Sequence, residues 1–308
     1  MTLPIVHHPA YCAELDKSHR FPMDKFRAVA DLIREEGLLD GGRFHKPRPA
    51  PFEWLALAHD ATYVEQVLSC QVPDRIAREI GFPMKEDIAL RARCATGGTV
   101  LAGYLALKHG MACNTAGGSH HARKAHGAGF CVFNDVAVAI RVMQADGVIE
   151  RALVIDLDVH QGDGTADIFA GDDTVFTFSM HAQKNYPVRK VASDLDVGLE
   201  DALEDEAYLE RLSKILPSLL DAARYDIVFF NAGVDPYQGD RLGRLSLSRG
   251  GLRRRDELVI RSVRDAGLPL AAVIGGGYSE DIAELADRHV TLHRVATAFQ
   301  AGALAKAG

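Results

Sequence analysis

Short apolar runs alternate along the chain with longer amphipathic stretches. Strand-like runs fall at Leu3–Val6, Met111–Thr115, Ala152–Leu157, Thr174–Ser179, Ile227–Asn231 and Leu270–Ile274, with a weaker one at Val290–Leu292. Helical patterning falls near 22–37, 60–70, 88–109, 134–147, 205–223, 250–266 and 279–287. Strands alternating with helices predict parallel βαβ units, hence an α/β fold. A run such as "ALVIDL" has no polar face, as in a sheet covered on both sides. The segment His45–Pro51, "HKPRPAP", is too rich in proline for either element and reads as a surface connection. No repeat, low-complexity tract or break in composition divides the 308 residues.

Composition narrows the function classes. The chain is 47% hydrophobic and 25% charged, an ordinary globular balance. A net charge of −7 argues against a broad basic surface for nucleic acid. The one tight basic run, Arg253, Arg254 and Arg255, opens a predicted helix and is expected to be a solvated face. Five cysteines without paired spacing suit reduced thiols better than a disulfide framework. No charged-then-apolar leader pattern opens the chain, and no apolar run nears the roughly 18 residues of a membrane span. The expectation is a cytoplasmic protein with no membrane or nucleic-acid partner.

Ligands of open parallel sheets bind at the carboxyl ends of strands, and four such ends are rich in polar residues here. In "ALVIDLDVHQGDGT", Asp156, Asp158 and His160 follow a buried strand at spacing two, which predicts one shared face. Buried carboxylates are costly unless paired or metal-bound, and an Asp with a His on one face can chelate a divalent ion. Gly162 and Gly164 allow a turn that returns Asp163 to the site; the plainer alternative makes Asp163 a helix cap. In "FFNAGVDPYQGDRLG", Asp235 is placed to be a third ligand, although an Asp before Pro also starts turns. Three protein ligands leave an open position, the mark of a catalytic Zn²⁺ site, and an oxygen-rich set also suits Fe²⁺ or Co²⁺. In "NTAGGSHHARKAHGAGFCVFND", His120 and His121 can each meet a different carboxylate, with Asp156 and Asp163 free to serve; the plainer alternative is a pair of surface or supporting histidines. His126 belongs to the loop. In "AVIGGGYSED", Tyr278 follows three glycines and could stabilise an oxyanion, or simply pack on a tight turn.

Together these blocks resemble the zinc-dependent histone deacetylase superfamily, most nearly its class IV branch and bacterial relatives. The matching pieces are "GGSHHA", "GFCVFND", "DLDVHQGDG", "NAGVDPYQGDRLG" and "GGGY", in the family's order, with "HHPAY", "HRFPMDKF" and "LALAHDATYV" before them. The resemblance implies a single domain over residues 1–308, with three α/β/α layers around a mainly parallel sheet of about eight strands. It makes Asp158, His160 and Asp235 the zinc ligands. It pairs His120 with Asp156 and His121 with Asp163, and gives Tyr278 the transition-state role. It places Gly129 and Phe130 on the wall of an acyl-lysine tunnel, Leu242 in its lining, and Tyr186 as the aromatic facing Phe130. It also implies a structural K⁺ near Asp156 and Ser179 and the backbone carbonyls of Asp158, His160 and Met180. The rim acid that grips the substrate backbone in class I relatives has no clear match in "GFPMKED"; Glu86 and Asp87 are the nearest acids. Cys131, beside the tunnel motif, reads as a buried packing residue.

The implied reaction is hydrolysis of acyl-lysine, in peptide or protein, or of a small acylated amine. His121 takes a proton from water and returns it to the leaving amine, His120 orients the water, and Tyr278 holds the oxyanion. Class IV likeness adds an expectation of long acyl groups. A polyamine amidohydrolase would use the same residues, and a binding module could retain the fold. An arginase-like ureohydrolase needs further acids for two metals, where this sequence has Gly162 and Gly233.

Overall fold

Four consecutive apolar side chains lead β3 (Ala152–Asp156) into its terminal acid, and every residue of the strand is buried. In the computed structural model, which describes residues 2–16, 18–221 and 225–302, this strand lies inside a seven-stranded parallel sheet. Its partners are β1 (Ile5–Val6), β2 (Met111–Asn114), β4 (Val175–Ala182), β5 (Leu195–Leu199), β6 (Ile227–Asn231) and β7 (Leu270–Val273). The order is β1-β2-β7-β6-β3-β4-β5, all neighbours parallel.

Parallel neighbours need crossovers, and helices supply them except between β4 and β5, where residues 183–194 connect without one. The described residues form α1 (Lys25–Glu35), α2 (Phe52–Leu55), α3 (Ala61–Leu68), α4 (Asp74–Ile80), α5 (Glu86–His109), α6 (Asp135–Ala145), α7 (Asp163–Phe169), α8 (Asp205–Asp221), α9 (Arg249–Asp265) and α10 (Ile282–Gln300). Asn134, Ser248 and Asp281 cap α6, α9 and α10 by accepting from the backbone N–H of Ala137, Gly251 and Glu284. No helix is long and apolar enough to cross a membrane among the described residues.

The register matters for chemistry. Asp156 pairs with Asn231, Asn231 with Val273, and Val273 with Asn114, so four strand ends finish in one row. The four loops that leave this row carry the four motifs with candidate chemistry.

The seven described strands, all parallel, fit the expected sheet of about eight. Other expectations are corrected. Val290–Leu292 is no strand: buried His289, Val290 and His293 belong to one face of α10, which packs on α1 and α9. Strand β5 was not foreseen, because it is an edge strand with alternating exposure and contains Gly198. The short helices α4 and α7 also escaped the periodic pattern. The end of the helix expected over 205–223 lies outside the described residues. The basic run is not one solvated face. Arg253 and Arg254 pair at the surface with Glu257 and Glu206, but Arg255 is fully buried. Its guanidinium donates to the carbonyls of Gly233 (2.6 Å) and Leu157 (3.3 Å) and pairs with Asp256. It thereby ties the turns after β3 and β6 together.

Candidate active site

Strand β3 stops at Asp156, so Asp158 and His160 stand in the following turn and not on the strand face that the spacing predicts. Backbone bonds converge them instead. Asp158 N–H donates to Asp156 Oδ1 (3.1 Å), and His160 N–H to Asp158 Oδ1 (3.0 Å). Asp235 arrives from the loop after β6, where its Oδ1 accepts from Val159 N–H (2.9 Å). Ligand atoms of Asp158, His160 and Asp235 lie within 4.8 Å of one another, all buried.

This cluster fits a cation. His160 Nδ1 lies 3.0 Å from Asp158 Oδ1 and 3.2 Å from Asp235 Oδ2. The second approach is not aligned as a hydrogen bond, and Asp235 Oδ2 is buried without a partner. Two buried carboxylates crowding one imidazole, with an oxygen left over, are unfavourable without a counter-ion. Gly276 completes the cradle: its N–H donates to Asp158 Oδ2 (2.8 Å), and a Cβ there would stand 2.2 Å from Asp235 Oδ2. The same crowding opposes a second ion. A Cβ on Gly162 would stand 2.4 Å from Asp156 Oδ2, and one on Gly233 2.3 Å from Asp158 Oδ2.

The loop after β2 brings both histidines to the cluster. Asp135, at the start of α6, anchors it by accepting from Ser119 N–H (2.7 Å), Gly118 N–H (3.2 Å) and Thr99 Oγ1 (2.5 Å). His120 Nδ1–H donates to Asp156 Oδ2 (2.7 Å) and His121 Nδ1–H to Asp163 Oδ1 (2.6 Å). A carboxylate only accepts, so each bond assigns the proton to Nδ1 and leaves Nε2 for the site. Asp163 is no helix cap; its other oxygen takes Arg123 Nη2 (2.7 Å).

The two rings are 4.1 Å apart but differ electrostatically. Burial opposes charge on His120, yet Asp156 and Asp158 outweigh it and lift the imidazole to about 9. Burial, then the charge of His120, drives His121 down to about 4. His121 is thus the neutral ring, with a free lone pair. Tyr278, on the loop after β7, is buried, and its ring centroid stands 6.4 Å from that of His160. Burial and the nearby Asp235 and Asp158 keep its phenol protonated.

A cavity of about 270 Å³ reaches these groups from the surface, past Gly129, Phe130, Tyr186 and Leu242. Phe130 holds a left-handed backbone, φ +65°, with its N–H bonded to Ile80 O (2.7 Å). Such strain in a non-glycine residue is a common feature of functional sites. Tyr186 and Phe130 line the same cavity; the Tyr186 ring meets His121 at 4.8 Å, while Phe130 packs on Phe21, Phe82 and Tyr278. Neither Glu86 nor Asp87 lines this cavity; Asp87 accepts from the backbone of Glu14 (3.0 Å) beside a different groove. Behind the cluster, a smaller space of about 30 Å³ touches Gly117, Gly118 and the buried Cys131.

Sequence reasoning missed the supports of Tyr278. Asp240 accepts from Tyr278 N–H (2.8 Å), and burial with the charge of Asp235 raises its carboxyl to about 7. Lys25 of α1 is buried and donates to the carbonyls of Gly277 (3.2 Å) and Gly275 (3.4 Å), below the Tyr278 ring. Burial pushes its ammonium down to about 8. Both residues lie inside quoted motifs, "QGDRLG" and "HRFPMDKF". Their presence was legible there, but not their partners.

Comparison with known proteins agrees with this arrangement. The family model for the histone deacetylase domain matches residues 19–293. An uncharacterized protein of Picosynechococcus sp. is 47% identical over 96% of this chain and 99% of its own length. Histone deacetylase 2 of Arabidopsis thaliana is 30% identical over 88% of this chain and 72% of its own. Histone deacetylase 1 of Oryza sativa is 33% identical over 85% of this chain, which spans 54% of the rice protein. The crystal structure of the HDA15 HD domain superposes with a TM-score of 0.80 at 21% identity, covering 98% of this chain and 88% of that one. The chain therefore belongs to the histone deacetylase family, and that membership places its chemistry among the hydrolases.

Proposed function

We propose that this protein hydrolyses the amide of acyl-lysine or of a related acylated amine, with one Zn²⁺ held by Asp158, His160 and Asp235. The observation that carries this reading is the unequal histidine pair, each ring bonded to its own aspartate, beside a buried ligand cluster at the inner end of a cavity. The ion, when bound, supplies Lewis acidity and brings the attacking water into its reactive state near neutral pH. Fe²⁺ or Co²⁺ would satisfy the same donor set.

The chain's own residues do the rest. Phe130 and Leu242 exclude water from an extended alkyl-amine. Tyr278 donates its hydroxyl to the scissile carbonyl oxygen and holds the developing oxyanion. His121 removes the proton from the attacking water through Nε2, then delivers a proton to the leaving nitrogen. His120, charged against Asp156, orients the water and offsets the growing negative charge. The space of about 30 Å³ behind the cluster favours a short acyl group over the long ones that class IV likeness suggests. A structural K⁺ near Asp156, Ser179 and the carbonyls of Asp158, His160 and Met180 is part of the proposal; Asp156 and Ser179 are direct register partners. Five free cysteines suit a cytoplasmic setting.

The test is a panel of peptides carrying lysine acylated with two to twelve or so carbons, assayed with zinc-loaded protein alongside acetylated polyamines. Turnover of acyl-lysine, greatest for acetyl, is expected. Absence of turnover on every acylated amine, with zinc bound stoichiometrically, would favour a binding module instead.

A further inference from the structure

The cavity mouth carries a charge pattern that its inner end does not require. Arg20 and Arg78 both line the cavity that contains His121, His160 and Tyr278, and both are exposed. Neither guanidinium makes an ion pair or a hydrogen bond among the described residues, whereas Arg75, Arg244 and Arg254, also exposed, are each paired with an acid. The one acid in the same lining, Glu79, is already engaged by Arg75 (2.6 Å) and approached by His126 (3.5 Å). Two uncompensated guanidinium groups therefore face whatever emerges from the tunnel. The acids that would welcome a cation lie elsewhere: Glu14, Asp16, Asp24 and Glu86 line a separate groove that shares no residue with this cavity.

From this placement we infer that Arg20 and Arg78 form a carboxylate subsite, so that the preferred substrate bears an anionic group on its amine carrier close to the acylated nitrogen. The inference rests on the hydrolase reading above and deepens it by naming the carrier. Guanidinium forks match carboxylates in geometry as well as charge. The anion is either the free α-carboxylate of an Nε-acylated diamino acid or an acidic side chain next to an acyl-lysine in a peptide. A polyamine would instead bring further ammonium groups against two positive charges.

The experiment compares kcat/KM of the zinc-loaded protein on four acetylated carriers. These are Nε-acetyl-lysine with a free α-carboxylate, the same compound as its α-amide, a peptide with Asp beside the acetyl-lysine, and an acetylated polyamine. The free carboxylate is expected to exceed the amide by about tenfold, mainly through KM, with the polyamine lowest. The carboxylate-to-amide ratio should fall about threefold in each of Arg20→Gln and Arg78→Gln, and fall less in Arg20→Lys and Arg78→Lys, which keep the charge but lose the fork. It should also shrink toward unity in about 1 M salt, where charges are screened within roughly 3 Å. A peptide arm that outruns the free amino acid would assign the anion to a neighbouring acidic residue and still support the subsite. Equal kcat/KM on carboxylate and amide, or a ratio that both Gln variants leave intact, overturns the inference while the hydrolase reading stands. No turnover of any carrier overturns both. Thermal melts of the variants, expected to match the wild type at these exposed positions, separate misfolding from a changed preference.

Discussion

At the scale of single residues, the site depends on unequal environments for similar groups. His120 faces two carboxylates and is charged, whereas His121, behind it, is emptied of its proton by burial and by that charge. Tyr278 has no such pairing; the role proposed for it rests on a protonated hydroxyl beside the Asp158, His160 and Asp235 cluster. Replacing Tyr278 with Phe should lower kcat by about 100-fold or more, the usual effect of losing an oxyanion donor. Bound zinc should be unchanged by plasma emission analysis; turnover near the wild-type value would remove Tyr278 from the role proposed. The residues that meet at the candidate site were readable because each motif groups them within a few positions. Lys25, Asp240 and Arg255 were not, because their roles depend on partners far along the chain, such as Gly277 for Lys25 and Leu157 for Arg255. Arg255 shows the general difficulty: three adjacent arginines look alike in sequence, and only packing decides which one is buried.

At the scale of elements, loops fastened to rigid neighbours hold the geometry. The loop after β2 is anchored by Asp135 at one end of α6 and by His59 on the connection between α2 and α3. His59 sits between Arg123 O (2.9 Å from Nδ1) and Asn134 N–H (2.9 Å from Nε2), so it donates through Nδ1 and accepts through Nε2. Only the neutral ring does both, and burial lowers its pKa to about 4. The unfolded chain, with a pKa near 6.5, binds the extra proton first as pH falls, so this contribution is complete above about 6.5 and lost toward 4. A His59→Gln variant, which does not titrate, should be less stable than the wild type at pH 7. The gap should narrow by about 2 kcal/mol at pH 5, read from urea unfolding at both pH values. A gap independent of pH would contradict a neutral His59. Central strands were legible because their apolar runs leave no alternative. Strand β5 was not, since an edge strand needs only alternate burial, and α10 was broken in reading by its β-branched Val290 and Thr291.

At the scale of the whole molecule, one parallel sheet aligns Asn114, Asp156, Asn231 and Val273, and the loops beyond them meet. The α/β class followed from alternating elements, and the site from the polar ends of the strands. The exact row, with Asp156 directly beside Asn231, required the strand order, which local pattern does not encode. The proposed single-ion hydrolytic site is made by Asp158, His160 and Asp235, with Gly162 and Gly233 crowded against its acids. Stripping the protein with a chelator and titrating Zn²⁺ back, while following acetyl-lysine hydrolysis and bound metal together, tests it. Activity should disappear on stripping and return linearly to a plateau at one ion per chain, and Asp235→Asn should neither bind at that stoichiometry nor recover. Full activity in the stripped protein, or a plateau only at two ions per chain, would contradict the single-ion site.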